Sequence, residues 1–486
     1  MSMLKEKPWI LVAIFLAVFF ISTYKLTESP RTWYDDGLFM QVARNVVHFN
    51  TFGVQSAPGE IDRSIASYVT TGPSVTYPIA IIYKFFGVGL LQARLLMVVF
   101  LLMLVAASFW LIYEVFGYKE AVISTLLLVS FAPLYGNGKI VLGEIPGLLF
   151  LVLFLLALNK LEDSGYKNHF WSVWAGLGMG LAIVAKPIFI LLLPAVVIWV
   201  LWKRKTIRLD AGSALRFFIF FLAPVFLFYL TYFGKENSVF GVLSFYGNNY
   251  SAGLKDILVS VINNIRKLFN ESTPIYFSAT MIVWIWFYWF RSRRNIIIKS
   301  AESVAILFSI LIGLAYLKTP GWYRYFFPGH ILALMFFPVA FASFAKFVSQ
   351  RLLKDKLPHF LPFAALGLII IFQFYQVGFS SWVAGDYHST RSKELGEYLK
   401  NLDMDKSIFV YQAAEAVTFL PHDNYYQYFH ITGDRFLGDR QALISGIPDE
   451  VIVASKSMNL AREYLGRYKL KTKLYRDLYL VFEKKQ

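Results

Sequence analysis

Two adjacent carboxylates, Asp35 and Asp36, lie just beyond the first apolar segment of this 486-residue chain, in the stretch WYDDGLFMQVARNV. The spacing of Phe39 and Val42 predicts an amphipathic helix along the membrane surface, with Arg44 on its polar face. In one interpretation Asp35 caps this helix and Asp36 lies in its first turn, where the helix dipole favours negative charge. In the other, the repulsion between adjacent carboxylates raises the pKa of one, which then suits a general base.

Further ionisable residues fall near the ends of apolar segments, on the same side of the predicted membrane. Glu144 begins one segment, Lys186 interrupts another, and Tyr323 and Arg324 precede a third. Ionisable groups at the ends of membrane segments are energetically costly to bury, and they are usually paired or functional. Each also has a structural explanation: a helix N-terminal carboxylate for Glu144, a headgroup contact for Lys186 and an interfacial anchor for Arg324. As a set, carboxylates that accept a proton beside cations that hold phosphate predict a site for an anionic substrate.

Three more polar residues are candidates for substrate binding. Arg44 and His48 share the polar face of the predicted helix, and His330 follows Arg324 in RYFFPGH. A histidine in such a position is more often a structural imidazole than a ligand. We include all three with Lys186, Arg324 and Tyr323 as candidate substrate-binding residues.

The composition indicates an integral membrane protein. Hydrophobic residues make up 57% of the chain and charged residues only 16%, which is too little charge for a soluble surface. The net charge of +16 is concentrated in a few short loops, as expected for topology determinants and anionic-lipid contacts, and no nucleic-acid partner is expected. The chain has no cysteine, which excludes disulfides and thiolate metal sites.

Apolar runs of suitable length predict about eleven transmembrane helices. They lie near residues 8–25, 92–116, 120–136, 145–160, 171–185, 187–202, 215–233, 276–290, 300–317, 325–348 and 358–380. The positive charges then predict a cytoplasmic N-terminus. The inner loops contain Lys203, Arg204, Lys205, Arg208, Arg291, Arg293, Arg294, Lys299, Lys346, Arg351, Lys354 and Lys356, whereas the short outer loops carry only Lys139, Lys186, Lys318 and Arg324.

This topology divides the chain into a membrane part, residues 1–380, and a tail, residues 381–486. The membrane part has two long outer loops, 26–77 and 234–275, and the second contains GLKDILVSVINNIRKLF, whose apolar spacing predicts a helix in the membrane interface. The tail alternates helix-like and strand-like segments and is long enough for one small domain. We therefore expect an α-helical polytopic protein of the cytoplasmic membrane with a C-terminal α/β extracytoplasmic domain.

Four segments in this order resemble the C-type (GT-C) membrane glycosyltransferases, in particular the branch of protein O-mannosyltransferases and the lipid A aminoarabinose transferase. They are WYDDGLFMQVARN, TYPIAIIYKFFGVGLLQARLLMVVF, GLGMGLAIVAKPIFILLLP and RYFFPGH. The resemblance covers most of the membrane part, and it implies a GT-C fold. Many relatives have Asp-Glu where this chain has Asp-Asp, which leaves open which carboxylate acts.

The resemblance implies an inverting transfer of a sugar from a polyprenyl-phosphate donor to an acceptor on the non-cytoplasmic face. Asp35 or Asp36 would be the base, Glu144 the second acidic residue, and Lys186 and Arg324 the ligands of the donor phosphate. A single displacement needs one base and a stabilised leaving group, which agrees with these residue types. The acceptor, whether protein, lipid or cell-envelope glycan, and the sugar are left open.

Two alternatives accompany this prediction. A transporter or flippase for a lipid-linked or anionic precursor would distribute its charges through the membrane midplane, whereas these cluster at the outer level. An inactive relative within an envelope assembly complex would not need both aspartates. A divalent cation is left open as a cofactor, because Asp35, Asp36 and Glu144 are oxygen donors of the kind that such a cation prefers.

Overall fold

The computed structural model describes residues 8–63, 71–204, 207, 210–232, 254–352, 358, 360–432 and 435–485. Parts of the predicted loops 26–77 and 234–275, and the predicted inner-loop cations Lys205, Arg208, Lys354 and Lys356, lie outside these ranges.

The membrane part is helical, and each predicted apolar segment contains a helix. Its first half comprises α1 (Pro8–Thr23), α2 (Tyr34–Phe49), α3 (Pro73–Phe86), α4 (Leu90–Phe116), α5 (Tyr118–Val129), α6 (Ala132–Gly138), α7 (Glu144–Asp163) and α8 (His169–Ala185). Its second half comprises α9 (Leu192–Lys203), α10 (Ala211–Tyr232), α11 (Leu254–Asn270), α12 (Ser272–Arg293), α13 (Ser300–Tyr316), α14 (Phe327–Leu352) and α15 (Leu361–Tyr375). A short hairpin of β1 (Val54–Ala57) and β2 (Glu60–Asp62) follows α2.

The helical path is broken within the predicted segment 120–136 and between the predicted segments 171–185 and 187–202, and the sequence explains both breaks. Between α5 and α6 the axis bends by 68°, where Pro133 enters the first turn of α6 and lacks the N–H that would continue the ladder. Between α8 and α9 the chain is extended at Lys186, and Pro187 opens a short 3₁₀ helix that ends at Leu191. The second break lies at Lys186, as the sequence predicts.

Within the described residues, five helices are long and apolar enough to cross a membrane, and six if the bent pair α5–α6 counts as one span. The four other apolar helices recognised by composition are shorter, for example α1 and α13. The predicted total of eleven spans is therefore not confirmed. Several of the helices nevertheless share one continuous apolar core, centred on α4, α7 and α14.

A C-terminal sheet domain is present, as predicted. After two short helices, α16 (Trp382–Gly385) and α17 (Arg391–Lys400), the chain forms β3 (Ile408–Tyr411), β4 (Tyr425–Thr432), β5 (Arg435–Leu437), α18 (Gln441–Ser445), β6 (Glu450–Ala454), α19 (Met458–Ala461), β7 (Tyr468–Leu474) and β8 (Tyr479–Lys484). The strand order is β5-β4-β3-β6-β8-β7, with β3 parallel to β4 and β6, and the other pairs antiparallel. Apolar residues pack on both faces of this sheet.

Helix α2 lies between the membrane helices and the C-terminal domain. Its residues from Asp35 to Asn45 are all buried. On the polar face, Gln41 donates to the Tyr425 hydroxyl at 2.5 Å and accepts from Gln427 at 3.1 Å. The polar face that the sequence assigns to the outer surface therefore packs against β4 instead.

Gly37 makes this close packing possible. A Cβ atom at position 37 would lie 2.3 Å from the carbonyl oxygen of Ala414, inside any permitted contact distance. The backbone of α2 thus approaches the backbone of the short 3₁₀ helix Ala414–Phe419, which connects β3 with β4.

Helix α11 is amphipathic, as predicted, and it contacts the loop between α13 and α14. Its exposed apolar residues are Leu258, Val259, Ile262, Ile265 and Phe269. On the opposite side the buried Asn264 amide lies within 3.2 Å of the carbonyl oxygens of Tyr316, Leu317 and Thr319, at the end of α13. Asn264 therefore caps α13 from a neighbouring helix.

Candidate functional site

Asp36 is a buried structural carboxylate that joins three segments. Its Oδ1 atom accepts from the Val141 amide at 2.8 Å, and its Oδ2 atom accepts from the Trp33 amide at 3.4 Å and pairs with Arg94 at 3.2 Å. Burial raises the pKa of Asp36, although Arg94 and these donors oppose the rise. The side chain is fully buried, so a substrate has no direct access to it.

The structure corrects two expectations for the acidic pair: the residue that caps α2 and the cause of the raised pKa. Helix α2 begins at Tyr34, and the cap position is occupied by Trp33, not by Asp35. Both carboxylates lie in the first turn, and it is Asp36 that bonds back to the amide of the cap residue. The raised pKa belongs to Asp36 and results from burial, not from repulsion by its neighbour.

Asp35 faces a different direction and forms an ion pair with Arg324. The Arg324 Nη1 atom lies 2.5 Å from Asp35 Oδ2, and the two side chains are 16% and 11% exposed. The guanidinium lies beside the rings of Trp33, Trp322 and Tyr325, at 4.9–5.6 Å from their centroids. Burial alone would lower the pKa of Arg324, but the Asp35 carboxylate outweighs it and raises the pKa above its ordinary value. Arg324 is therefore a permanent cation here.

Glu144 and Lys186 form a second ion pair, at the start of α7 and at the break after α8. Lys186 Nζ donates to Glu144 Oε1, and Glu144 is fully buried while 17% of the Lys186 side chain is exposed. The other carboxylate oxygen, Oε2, has no hydrogen-bond partner among the described residues. This pair is therefore incompletely satisfied, which is unusual for a buried carboxylate.

Glycines allow this second pair to form. A Cβ at Gly143 would lie 2.4 Å from the Ala185 carbonyl oxygen, and one at Gly72 would lie 1.4 Å from the Val184 carbonyl oxygen. The Gly72 amide also donates to the Ala185 carbonyl at 3.1 Å. The start of α7 and the start of α3 thus both touch the backbone of the α8 break, which brings Glu144 to Lys186.

The two ion pairs belong to one electrostatic cluster. Arg324 and Asp35 both lie close enough to interact electrostatically with Lys186, and Glu144 interacts in the same way with Arg324. We call Asp35, Glu144, Lys186 and Arg324 the four-charge cluster. It combines two carboxylates and two cations, so its charges cancel when all four are ionised.

Tyr323, which directly precedes Arg324 of this cluster, is hydrogen-bonded to His330. The Tyr323 hydroxyl lies 2.9 Å from His330 Nδ1. The imidazole is completely buried, with the rings of Phe131, Tyr276 and Phe277 at 4.9–5.4 Å. Its Nε2 atom has no partner in the described part of the chain. A contact of either residue with substrate stays a prediction.

Arg44 and His48 lie away from the four-charge cluster. Arg44 Nη2 and His48 Nδ1 are each 2.7 Å from a different carboxylate oxygen of Asp423 in the C-terminal domain. Arg44 also donates to the carbonyls of Val417 and Leu420 at 3.2 and 3.1 Å. Since both residues bind the C-terminal domain, we leave them out of the proposed substrate site.

Sequence reasoning did not single out Arg94 and Lys139, which surround Asp36. Arg94 donates to the carbonyls of Leu26 and Pro30 at 2.8 and 2.7 Å and so connects the segment between α1 and α2 with α4. Lys139 is completely buried, donates to the Tyr24 carbonyl at 3.0 Å, and has its pKa lowered to about 7 by burial and by the charge of Arg94. The signal available in the sequence was the position of these cations, inside or close to an apolar segment.

The arrangement does not resemble a metal site. Within the described ranges, no group of three or more His, Asp or Glu side chains is placed to hold a metal ion. Asp35, Asp36 and Glu144 each face a different cation, Arg324, Arg94 and Lys186 respectively. We therefore derive no step through a divalent cation.

Comparison with known proteins gives one family model and several structures. A model described as dolichyl-phosphate-mannose-protein mannosyltransferase matches residues 70–229. ArnT of Cupriavidus metallidurans bound to undecaprenyl phosphate is 13% identical, with 98% of both chains covered and a TM-score of 0.64. The oligosaccharyltransferase of Archaeoglobus fulgidus in complex with zinc and sulfate is 13% identical, with 94% of this chain and 71% of that one covered and a TM-score of 0.59.

The oligosaccharyltransferase AglB from Archaeoglobus fulgidus, in complex with an inhibitory peptide and a dolichol-phosphate, gives a TM-score of 0.54 at 14% identity, with 94% of this chain and 70% of that one covered. No curated protein matches in sequence. The resemblance to the C-type membrane glycosyltransferases that the sequence predicts is confirmed, and the chain has their fold as a multi-pass membrane protein.

Proposed function

We propose that this protein is an inverting glycosyltransferase that moves a sugar from a polyprenyl-phosphate donor to an acceptor hydroxyl at the outer face of the cytoplasmic membrane. The observation that carries the proposal is the four-charge cluster, in which Asp35, Glu144, Lys186 and Arg324 converge from distant parts of the chain. The folds of two lipid-phosphate complexes, one with undecaprenyl phosphate and one with a dolichol-phosphate, support the donor class.

Asp35 is the proposed base, because it is the partly exposed member of the acidic pair. Its carboxylate takes the proton of the acceptor hydroxyl while the acceptor oxygen attacks the anomeric carbon from the side opposite the phosphate. The bond from the anomeric carbon to the phosphate oxygen breaks, and its electron pair stays on the phosphate. One displacement therefore inverts the anomeric centre.

Arg324 and Lys186 stabilise the leaving group. Charge grows on the phosphate oxygens as the bond to the sugar breaks, and cations fixed in advance lower the energy of that state. Glu144 holds Lys186 in place and orients the acceptor through its unpaired oxygen. Asp36 maintains the local structure and does not touch substrate.

A transfer assay with the purified full chain tests this function. We would incubate it with a panel of radiolabelled polyprenyl-phosphate sugars and a crude envelope fraction, and follow label into the acceptor. We expect transfer by the wild type and by Asp163→Asn, a control that disrupts the distant pair with Lys299. We expect Asp35→Asn to abolish transfer and to lower the unfolding temperature less than Asp36→Asn does, because the Asp35–Arg324 pair is partly exposed whereas the Asp36–Arg94 pair is fully buried.

The remaining outcomes separate the proposal from its alternatives. Asp36→Asn should reduce the unfolding temperature, because it leaves Arg94 buried without a counter-charge. Transfer by Asp35→Asn at the wild-type rate would refute the assigned base. Movement of intact labelled donor across the bilayer, with no transfer to any acceptor, would indicate the transporter that the sequence left open. The labelled sugar that is transferred would identify the donor.

A further inference from the structure

The proposed base and the proposed phosphate ligand neutralise each other in the substrate-free molecule. Asp35 is bound to Arg324, and Glu144 to Lys186, with each of these side chains less than one-fifth exposed. While Asp35 is paired with Arg324, the guanidinium occupies the carboxylate oxygen Oδ2, which is then not free to meet an acceptor hydroxyl. The cations, in turn, have donors committed to carboxylates and not to a phosphate.

Two polar atoms of the cluster are nevertheless left without partners. The Nε–H of Arg324 and the Oε2 atom of Glu144 are buried and make no hydrogen bond to the described residues. A guanidinium has five N–H donors, so a second anion can bind Arg324 as the first one leaves. The unsatisfied donor of Arg324, beside an existing ion pair, therefore leaves a position at which a second anion can bind before the first one leaves.

We propose that the donor phosphate displaces the Asp35 carboxylate from Arg324 and thereby activates the base. This inference rests on the proposed function and assigns an order to it. The phosphate binds Arg324 and Lys186, Asp35 is released with its negative charge, and only then does it accept the proton of the acceptor hydroxyl. Without donor, the base stays neutralised by Arg324.

The charges balance through the whole step. The donor is a phosphodiester with one negative charge, and the product polyprenyl phosphate is a monoester with about two. As the C–O bond to phosphate breaks, the phosphate gains the negative charge that Asp35 loses on protonation. The acceptor exchanges its hydroxyl proton for the sugar and stays neutral, so the total charge of cluster and substrates does not change.

Product release follows from the same ion pair. When Asp35 gives its proton to water, its carboxylate again competes for Arg324, now against the product phosphate. Re-formation of the Asp35–Arg324 pair favours departure of the polyprenyl phosphate. Asp35 thus serves both as proton acceptor and as the group that displaces the spent lipid.

Binding of undecaprenyl phosphate to the purified full chain tests the exchange separately from catalysis. We would measure tryptophan fluorescence during titration, because Trp33 and Trp322 lie beside Arg324. Asp35→Asn should bind this lipid more tightly, by about 10-fold, since Arg324 no longer has a competing carboxylate; that corresponds to about 1.4 kcal/mol. Glu114→Gln, which disrupts a pair with Lys160 of similar exposure, should leave the affinity unchanged.

A double-mutant cycle separates exchange from simple charge repulsion. We expect the tightening by Asp35→Asn to disappear in an Arg324→Gln background. Tightening of equal size in both backgrounds would mean that Asp35 only repels the phosphate at a distance, and would overturn the proposal. Unchanged or weaker binding by Asp35→Asn would overturn it as well.

Two further results keep the test decisive. If Asp35→Asn does not fold, Asp35→Ser takes its place in the same cycle with Arg324→Gln, and the same outcomes decide. If the wild type does not bind undecaprenyl phosphate, the donor class in the proposed function is wrong, and the exchange falls with it. By contrast, if the wild type binds the lipid and Asp35→Asn binds it with the same affinity, only the proposed exchange is wrong.

Discussion

Replacement of Asp423 by Asn should destabilise the contact between α2 and the C-terminal domain. Asp423 holds Arg44 and His48 at 2.7 Å, and the Arg44 side chain is only 3% exposed. An asparagine keeps the shape and one oxygen acceptor but removes the charge, so the Arg44 guanidinium is left buried with neutral acceptors, among them the backbone carbonyls of Val417 and Leu420, and without a counter-charge.

The structure sets the size of the effect. Removal of one partner from a fully buried pair costs about 3–5 kcal/mol. The Asp423 side chain is 28% exposed, so water reaches the pair and reduces that value. We expect a loss of about 2 kcal/mol in the free energy of unfolding, on the basis of these two limits.

The assay is denaturant titration of the full chain in detergent, with Asp403→Asn as the matched control. Asp403 pairs with Lys406 at 3.6 Å and is 75% exposed, so its replacement should change the free energy of unfolding by less than about 0.5 kcal/mol. Addition of Arg44→Met to Asp423→Asn should recover part of the loss, because the buried cation is then gone. A loss no larger than that of the control would refute the reasoning.

Two other substitutions test the surroundings of the site. Lys139 has a folded-state pKa of about 7 against an ordinary 10.5, so the unfolded chain binds more protons between these values and stability should rise with pH across that window. Lys139→Met should remove this rise in the unfolding midpoint; a slope equal to that of the wild type would contradict it. Asn264→Ala should cost about 1–2 kcal/mol of unfolding free energy, because the capped carbonyls lose their donor. The exposed neighbour Asn263, replaced by Ala in the same helix, is the control, and equal losses would argue against the cap.

The helices of the membrane part could be predicted from sequence because each depends on a local apolar run. The break at Lys186 was also predictable, since Pro187 follows it directly. In the tail, the predicted alternation of helix-like and strand-like segments corresponds to the short helices and strands that the structure has there. Hydropathy alone does not give the number of spans, because short apolar helices satisfy a hydropathy pattern without having the length to cross a bilayer.

The pairing of the charges could not be derived from local patterns. Asp36 and Arg94 lie 58 positions apart, and Asp35 and Arg324 lie 289 apart. Sequence placed the members of the four-charge cluster at one membrane level but did not indicate which carboxylate faces which cation. The docking of α2 against β4 was missed for the same reason: an amphipathic pattern shows that a polar face exists, but not whether water or another domain covers it.

The glycines around the α8 break have a consequence for how this chain tolerates change. Gly72 and Gly143 carry no chemistry, yet an alanine at either position would force the backbone away from Val184 or Ala185. Such a shift would separate Glu144 from Lys186 while every charged residue stays in the sequence. In a saturation-mutagenesis screen, these two positions should therefore be as intolerant as the ionisable ones, and a natural homologue without them would need a different chain path where the starts of α3 and α7 meet the break after α8.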